Sequence, residues 1–80
     1  MVENQGMEIE IIYCQAWNYE PEAVSLTEKL IKELKARIKR LVLVPSDGGR
    51  FEVSFNGSLV FSKLKTGRFP EYQEIRKHIK

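Results

Sequence analysis

The stretch Phe51-Glu52-Val53-Ser54-Phe55-Asn56-Gly57-Ser58-Leu59-Val60-Phe61-Ser62 decides the fold. Phe51, Val53 and Phe55 alternate with Glu52 and Ser54, the two-residue period of a strand buried on one face. Asn56-Gly57 then separates this run from a second apolar one, Ser58 to Leu64. A type I′ turn needs positive φ at both central residues, which Asn and Gly adopt at the least steric cost. The stretch therefore predicts an antiparallel hairpin, and a hairpin needs further elements to cover its apolar face.

Upstream lies Leu41-Val42-Leu43-Val44, a short continuous apolar run that suits an inner or parallel strand covered on both faces. Pro45 and Ser46-Asp47-Gly48-Gly49 end it. Further upstream, Val24, Leu30, Ile31, Leu34 and Ile38 recur at helical spacing, with Ala23 and Thr27 filling the same face. Pro21 suits the first helical position, and Glu20 and Glu22 suit the positive end of the helix dipole. Glu28 with Lys32 and Glu33 with Arg37 are i,i+4 pairs in the favourable order. Before the helix, Met7 to Tyr13 reads as a strand and Cys14 to Tyr19 as a loop. Downstream, Thr66-Gly67-Arg68 closes the sheet and Pro70 opens a last helix with Tyr72, Ile75 and Ile79 inward.

The order is β-α-β-β-β-α. A strand, helix and strand of this size form a right-handed parallel unit, and the hairpin adds two antiparallel strands. The expected architecture is an α/β fold with a four-stranded mixed sheet, order 2-1-3-4, and two helices. Residues 7–80 form the domain, and residues 1–6 form a flexible N-terminal extension.

The 80 residues amount to one domain, and a net charge of +2 implies no electrostatic partner by itself. No apolar run reaches the length that spans a bilayer, and residues 1–6 lack the apolar core of a secretory signal. There is one cysteine, Cys14, where a secreted domain this small would carry an even set. The count points to a reducing, cytoplasmic setting.

At the level of motifs the chain resembles a known group. Tyr13-Cys14-Gln15-Ala16-Trp17-Asn18-Tyr19 is similar to a Cys-x-x-Cys or Cys-x-x-selenocysteine motif followed by an aromatic residue. Gly49-Arg50-Phe51-Glu52-Val53-Ser54-Phe55-Asn56-Gly57 resembles a second signature entering a hairpin, and Ser62-Lys63 with Gly67-Arg68-Phe69-Pro70 resembles a third. Together they resemble the selenoprotein W-like (SelT/SelW/SelH, or Rdx) family, from Met7 onward. The resemblance implies a minimal thioredoxin-like fold and thiol redox chemistry. Carried over residue by residue, Cys14 matches the first redox residue, and Trp17 stands where the second falls. With one cysteine, no disulfide can close within this motif, so no dithiol oxidoreductase activity is expected.

Two readings remain for Cys14. It is a candidate monothiol, forming a mixed disulfide with glutathione or a protein thiol that an external thiol resolves; its place after a strand end predicts access. Alternatively it packs as a small hydrophobe. Glu20 and Glu22 place negative charge nearby, so the sequence does not predict a strongly activated thiol. Trp17, with Gln15 and Ala16, forms either a partner-binding loop around a Trp anchor or a plug between loop and helix; the plug is the favoured reading. The resemblance also implies that Gly48 and Gly49 border this loop, against the alternative of a flexible connection. The basic run Lys35 to Arg40 matches the dipole at a helix end better than it matches a nucleic-acid surface. A lone His78 offers neither a metal set nor a catalytic triad, so no cofactor or metal is expected. The functional expectation is monothiol exchange or thiol sensing at most; the alternative is a non-catalytic interaction module.

Overall fold

A computed structural model describes residues 6–79. The expected extension lies outside the described residues except for Gly6. Strands β1 (Met7–Cys14), β2 (Ile38–Ser46), β3 (Phe51–Phe55) and β4 (Ser58–Ser62) form one sheet in the order β2-β1-β3-β4. β1 pairs parallel with β2 and antiparallel with β3, and β3 pairs antiparallel with β4. This is the predicted thioredoxin-like sheet. Helix α1 (Glu20–Leu34) connects β1 to β2, α2 (Lys63–Thr66) is a single turn after β4, and α3 (Tyr72–Arg76) ends the described chain. The two expected helices are present, and α2 is an addition to them.

The Asn56-Gly57 turn forms as its chemistry requires, with φ of 52° and 85°. Asn56 also ties the hairpin to β1: its N–H donates to the Glu8 carbonyl at 2.7 Å, and its Oδ1 accepts from the Glu8 N–H at 2.9 Å. A one-residue irregularity between Val53 and Ser54 shifts the β3–β4 register, so Val53 faces Phe61 while Ser54 faces Leu59. Val60 takes up the extra position and packs against the core.

Ile9, Ile11, Phe51, Val53, Phe55 and Phe61 line the inner face of the sheet, and Ala23, Leu26, Leu30 and Leu34 of α1 and Ile75 of α3 close over it. The α1 face differs from the expected one. Leu26 is buried, whereas Val24 and Ile31 are each 50% exposed. The helix also stops earlier. Lys35 adopts φ 50°, a 3₁₀ turn spans Lys35–Arg37, and Ile38 begins β2 rather than ending the helix. β2 is the parallel edge strand that the expected order gives, but its apolar run is not covered on both faces: Leu41, Val42 and Val44 are half-buried and Leu43 is exposed.

Charged networks fix α3 to α1. Tyr72 Oη donates to Glu33 Oε1 at 2.7 Å and Arg76 Nε to Glu33 Oε2, so Glu33 turns toward α3. The Tyr72 bond first, then Arg76 and the charge of its expected helix partner Arg37, hold the Glu33 carboxyl below the usual range. Glu28 and Lys32 do meet, at 3.3 Å. Burial and the Glu33 carboxylate push the Tyr72 phenol up to about 12. Glu74 closes a capping box with Glu71 and accepts both Arg68 guanidinium nitrogens, at 2.7 and 2.6 Å. These bonds pull its carboxyl down to about 2, mainly through Arg68 and then through the Glu71 N–H. A depressed carboxylate contributes stability above its unfolded value, near 4.5, that is lost as pH falls toward 2. Acid titration followed by circular dichroism should therefore show a steeper loss over that window in the wild type than in Glu74→Gln. Equal slopes would contradict the assignment.

Candidate functional site

The candidate site lies where β1 and β2 end. Cys14 is the last residue of β1 and stands opposite Ser46 in the parallel register. The alternation of β1 sends Ile9, Ile11 and Tyr13 toward the helices and places Cys14 with Glu8, Glu10 and Ile12 on the other face. Consistent with this, Cys14 is 0% exposed yet lies outside the main core cluster. The expected access at the strand end is therefore corrected: the thiol is sealed in the native fold.

Gln15 to Tyr19 cross from β1 to α1 in a compact turn. Gln15 N–H donates to the Ser46 carbonyl at 2.9 Å, and Asn18 N–H to the Gln15 carbonyl at 3.0 Å. Tyr19 N–H returns to the Cys14 carbonyl at 3.1 Å. Asn18 takes φ 62°, a left-handed conformation that Asn tolerates better than most residues. Thus the Ser46 carbonyl holds the start of the turn and the Cys14 carbonyl its end, while the Cys14 side chain is buried.

Trp17 sits at the exposed crest of this turn, 61% accessible. The expectation that it plugs a gap is overturned. Its ring is nevertheless held: a Cβ added to Gly49 would lie 2.8 Å from Trp17 Cζ3. Gly49 is buried under the indole and has φ 78°, so both the contact and the backbone require glycine. The structure thus brings Trp17 and Gly49 together, while Gly48, Gln15 and Ala16 face solvent.

Three aromatic residues extend the site and were missed as site residues in the sequence. Trp17 meets Tyr19 edge-on at 6.1 Å, Tyr19 meets Phe69 at 4.8 Å, and Phe69 meets Phe51 at 5.2 Å. Edge-to-face packing at these distances is favourable for quadrupolar rings. Lys63 Nζ lies 5.2 Å from the Tyr19 ring centre and 5.3 Å from that of Phe69, within cation–π range. Lys63 and Phe69 lie within the third signature, but nothing in the sequence connects them to the loop at Trp17. Among the described residues, no three His, Cys, Asp or Glu side chains gather as a metal set.

A sequence profile of the Rdx family matches residues 8–80. The chain belongs to the Rdx family. Its fold agrees with that of a selenoprotein W-related protein from Vibrio cholerae, at a TM-score of 0.87 and 30% identity over 92% of each chain. A second solved structure, from Bordetella parapertussis, matches at a TM-score of 0.83 and 28% identity, over 92% of this chain and 99% of the other. Among curated relatives, a SelT-like protein of Arabidopsis thaliana is 71% identical over 28 residues, which is 35% of this chain and 13% of that protein. Migration and invasion enhancer 1 of Mus musculus is 29% identical over 94% of this chain and 64% of its own length. The chain thus spans less than two thirds of either curated relative. Membership of Rdx places the protein in a redox-related family. No helix among the described residues is long and apolar enough to cross a membrane.

Proposed function

We propose that this Rdx domain acts as a protein-docking module built on the family's redox scaffold, with the Trp17 turn as its contact surface. The observation that carries the reading is the inverted exposure of the motif: Trp17 is 61% accessible and Cys14 0%. Trp is enriched at binding hot spots, and a ring already fixed against Gly49 loses little side-chain entropy on docking. Lys63 and the exposed polar residues Gln15 and Asn18 supply a rim around it. The sequence offers no second cysteine to close a disulfide with Cys14.

A second reading keeps monothiol chemistry. Cys14 would have to become accessible through local opening for a glutathione or protein mixed disulfide to form there. A reduction assay on a glutathione mixed-disulfide substrate separates the two. The docking reading expects the same background rate for wild type and Cys14→Ser. A rate at least about 10-fold higher in the wild type would establish the monothiol reading instead.

A further inference from the structure

One lateral edge of the molecule joins features that the motif turn does not use. On the α1 wheel, Ala23, Leu26, Leu30 and Leu34 face the sheet. Lys29 and Glu33 face α3 through Tyr72. At 100° per residue, Val24 and Ile31 fall on the opposite flank, above β2. Beneath them Leu43 stands on the inner face of β2, paired with buried Ile11, and is 37% exposed. Among the described residues β2 has a strand neighbour on one side only, so its outer row of backbone N–H and C=O groups borders this apolar ledge. An edge strand of this kind is a template for pairing with another chain.

We propose that the β2 edge is a self-association surface, occupied by a second copy of this chain through antiparallel β2–β2 pairing about a two-fold axis. The charge pattern selects this occupant. α1 runs back along β2, so Glu20 and Asp47 lie at the end where β2 finishes, and Lys35 and Arg40 lie where it begins. An antiparallel copy sets each acidic end against the other's basic end, whereas a parallel copy would set like against like. Side-chain parity narrows the register further. Like faces stay together only if Val42 or Leu43 meets its own counterpart. In the first case Leu41 stands opposite the partner's Leu43; in the second Leu43 meets the partner's Leu43. Pro45, with no N–H to donate, and Lys39 confine the pairing to the Leu41–Val44 run. A strand about 30 Å long and a helix layer about 10 Å deep give a ledge of roughly 300 Å² per copy. That is well below the ~800 Å² per partner of a stable interface, so the dimer is weak and concentration-dependent.

Sedimentation velocity of the full chain, from micromolar to millimolar, tests this. The weight-average mass should rise from 9.3 kDa toward twice that value. The rise should weaken in high salt. Arg40→Glu with Lys35→Glu should weaken it at least ~10-fold, and adding Glu20→Lys with Asp47→Lys should restore it. In a Cys14→Ser background, Val42→Cys or Leu43→Cys should cross-link to its own copy under mild oxidation, whereas Leu64→Cys, more exposed but off this edge, should not. A mass that stays at 9.3 kDa throughout would overturn the proposal. So would self-association indifferent to Ile31→Lys plus Leu43→Lys in a chain whose circular dichroism is unchanged.

Discussion

Phe51→Ala is expected to cost about 3–5 kcal/mol, the range for losing a fully buried phenylalanine. The side chain is 1% exposed, sits opposite Tyr13 of β1 and meets Phe69 edge-on at 5.2 Å. It therefore belongs both to the sheet core and to the aromatic row that reaches Trp17 through Phe69 and Tyr19. An 80-residue domain has a total stability of roughly 4–12 kcal/mol, so this one change removes roughly a quarter or more of it. Urea unfolding monitored by circular dichroism measures the loss. Leu64→Ala, at a side chain 58% exposed, should change stability by less than about 0.5 kcal/mol. A loss below about 1 kcal/mol for Phe51→Ala would show that this position is not the junction described here.

Gly49→Val is the second large effect, expected at about 2–4 kcal/mol from two separable causes. A branched residue at φ 78° pays for the left-handed backbone, roughly 1–2 kcal/mol. Its Cβ also enters the space of the indole, 2.8 Å from Trp17 Cζ3. Combining Gly49→Val with Trp17→Ala removes the second cause and leaves the first. A double-mutant cycle should thus show a coupling of about 1 kcal/mol or more between the two positions. Additivity would mean that the ring does not rest on Gly49. Gly48→Val, at φ 75° with nothing near its Cβ position, should show the backbone cost alone.

The parts of the fold that were legible in the sequence are those fixed by local chemistry. Asn56-Gly57 has the φ signs that its turn type demands, and the alternation of Phe51, Val53 and Phe55 is the burial pattern found. The strand order follows from the element order, a right-handed β-α-β unit extended by a hairpin. The end of α1 was not legible. Ile38 continues the helical spacing of Leu30 and Leu34, but pairing with Met7 across β1–β2 claims it for the sheet, and Lys35 breaks the helix at a cost that only tertiary pairing explains. The inner face of α1 was misread because Val24 and Ile31 also recur at an interval of seven. Which of two adjacent stripes is covered depends on where α3 lies.

The site divides in the same way. The partnership of the Trp17 turn with Gly49 was anticipated from the family's loop order, and the sequence places one cysteine at the strand end. The burial of Cys14 was not anticipated, because it is set by the tertiary fold, in which its register partner Ser46 is distant in sequence. Lys63 and Phe69 reach the loop only through the tertiary fold.

The central claim is that the motif has been turned inside out, with its thiol sealed and its tryptophan presented. Native-state alkylation of Cys14 tests it most directly. Cys14 is the sole thiol, so labelling reports on one site, and Trp17 is the sole tryptophan, so its quenching by acrylamide can be followed in the same sample. The account predicts alkylation at least ~100-fold slower in buffer than in urea, through rare opening of the turn, together with ready quenching of Trp17. Labelling of Cys14 within about 10-fold of the unfolded rate, with Trp17 protected from quencher, would contradict it.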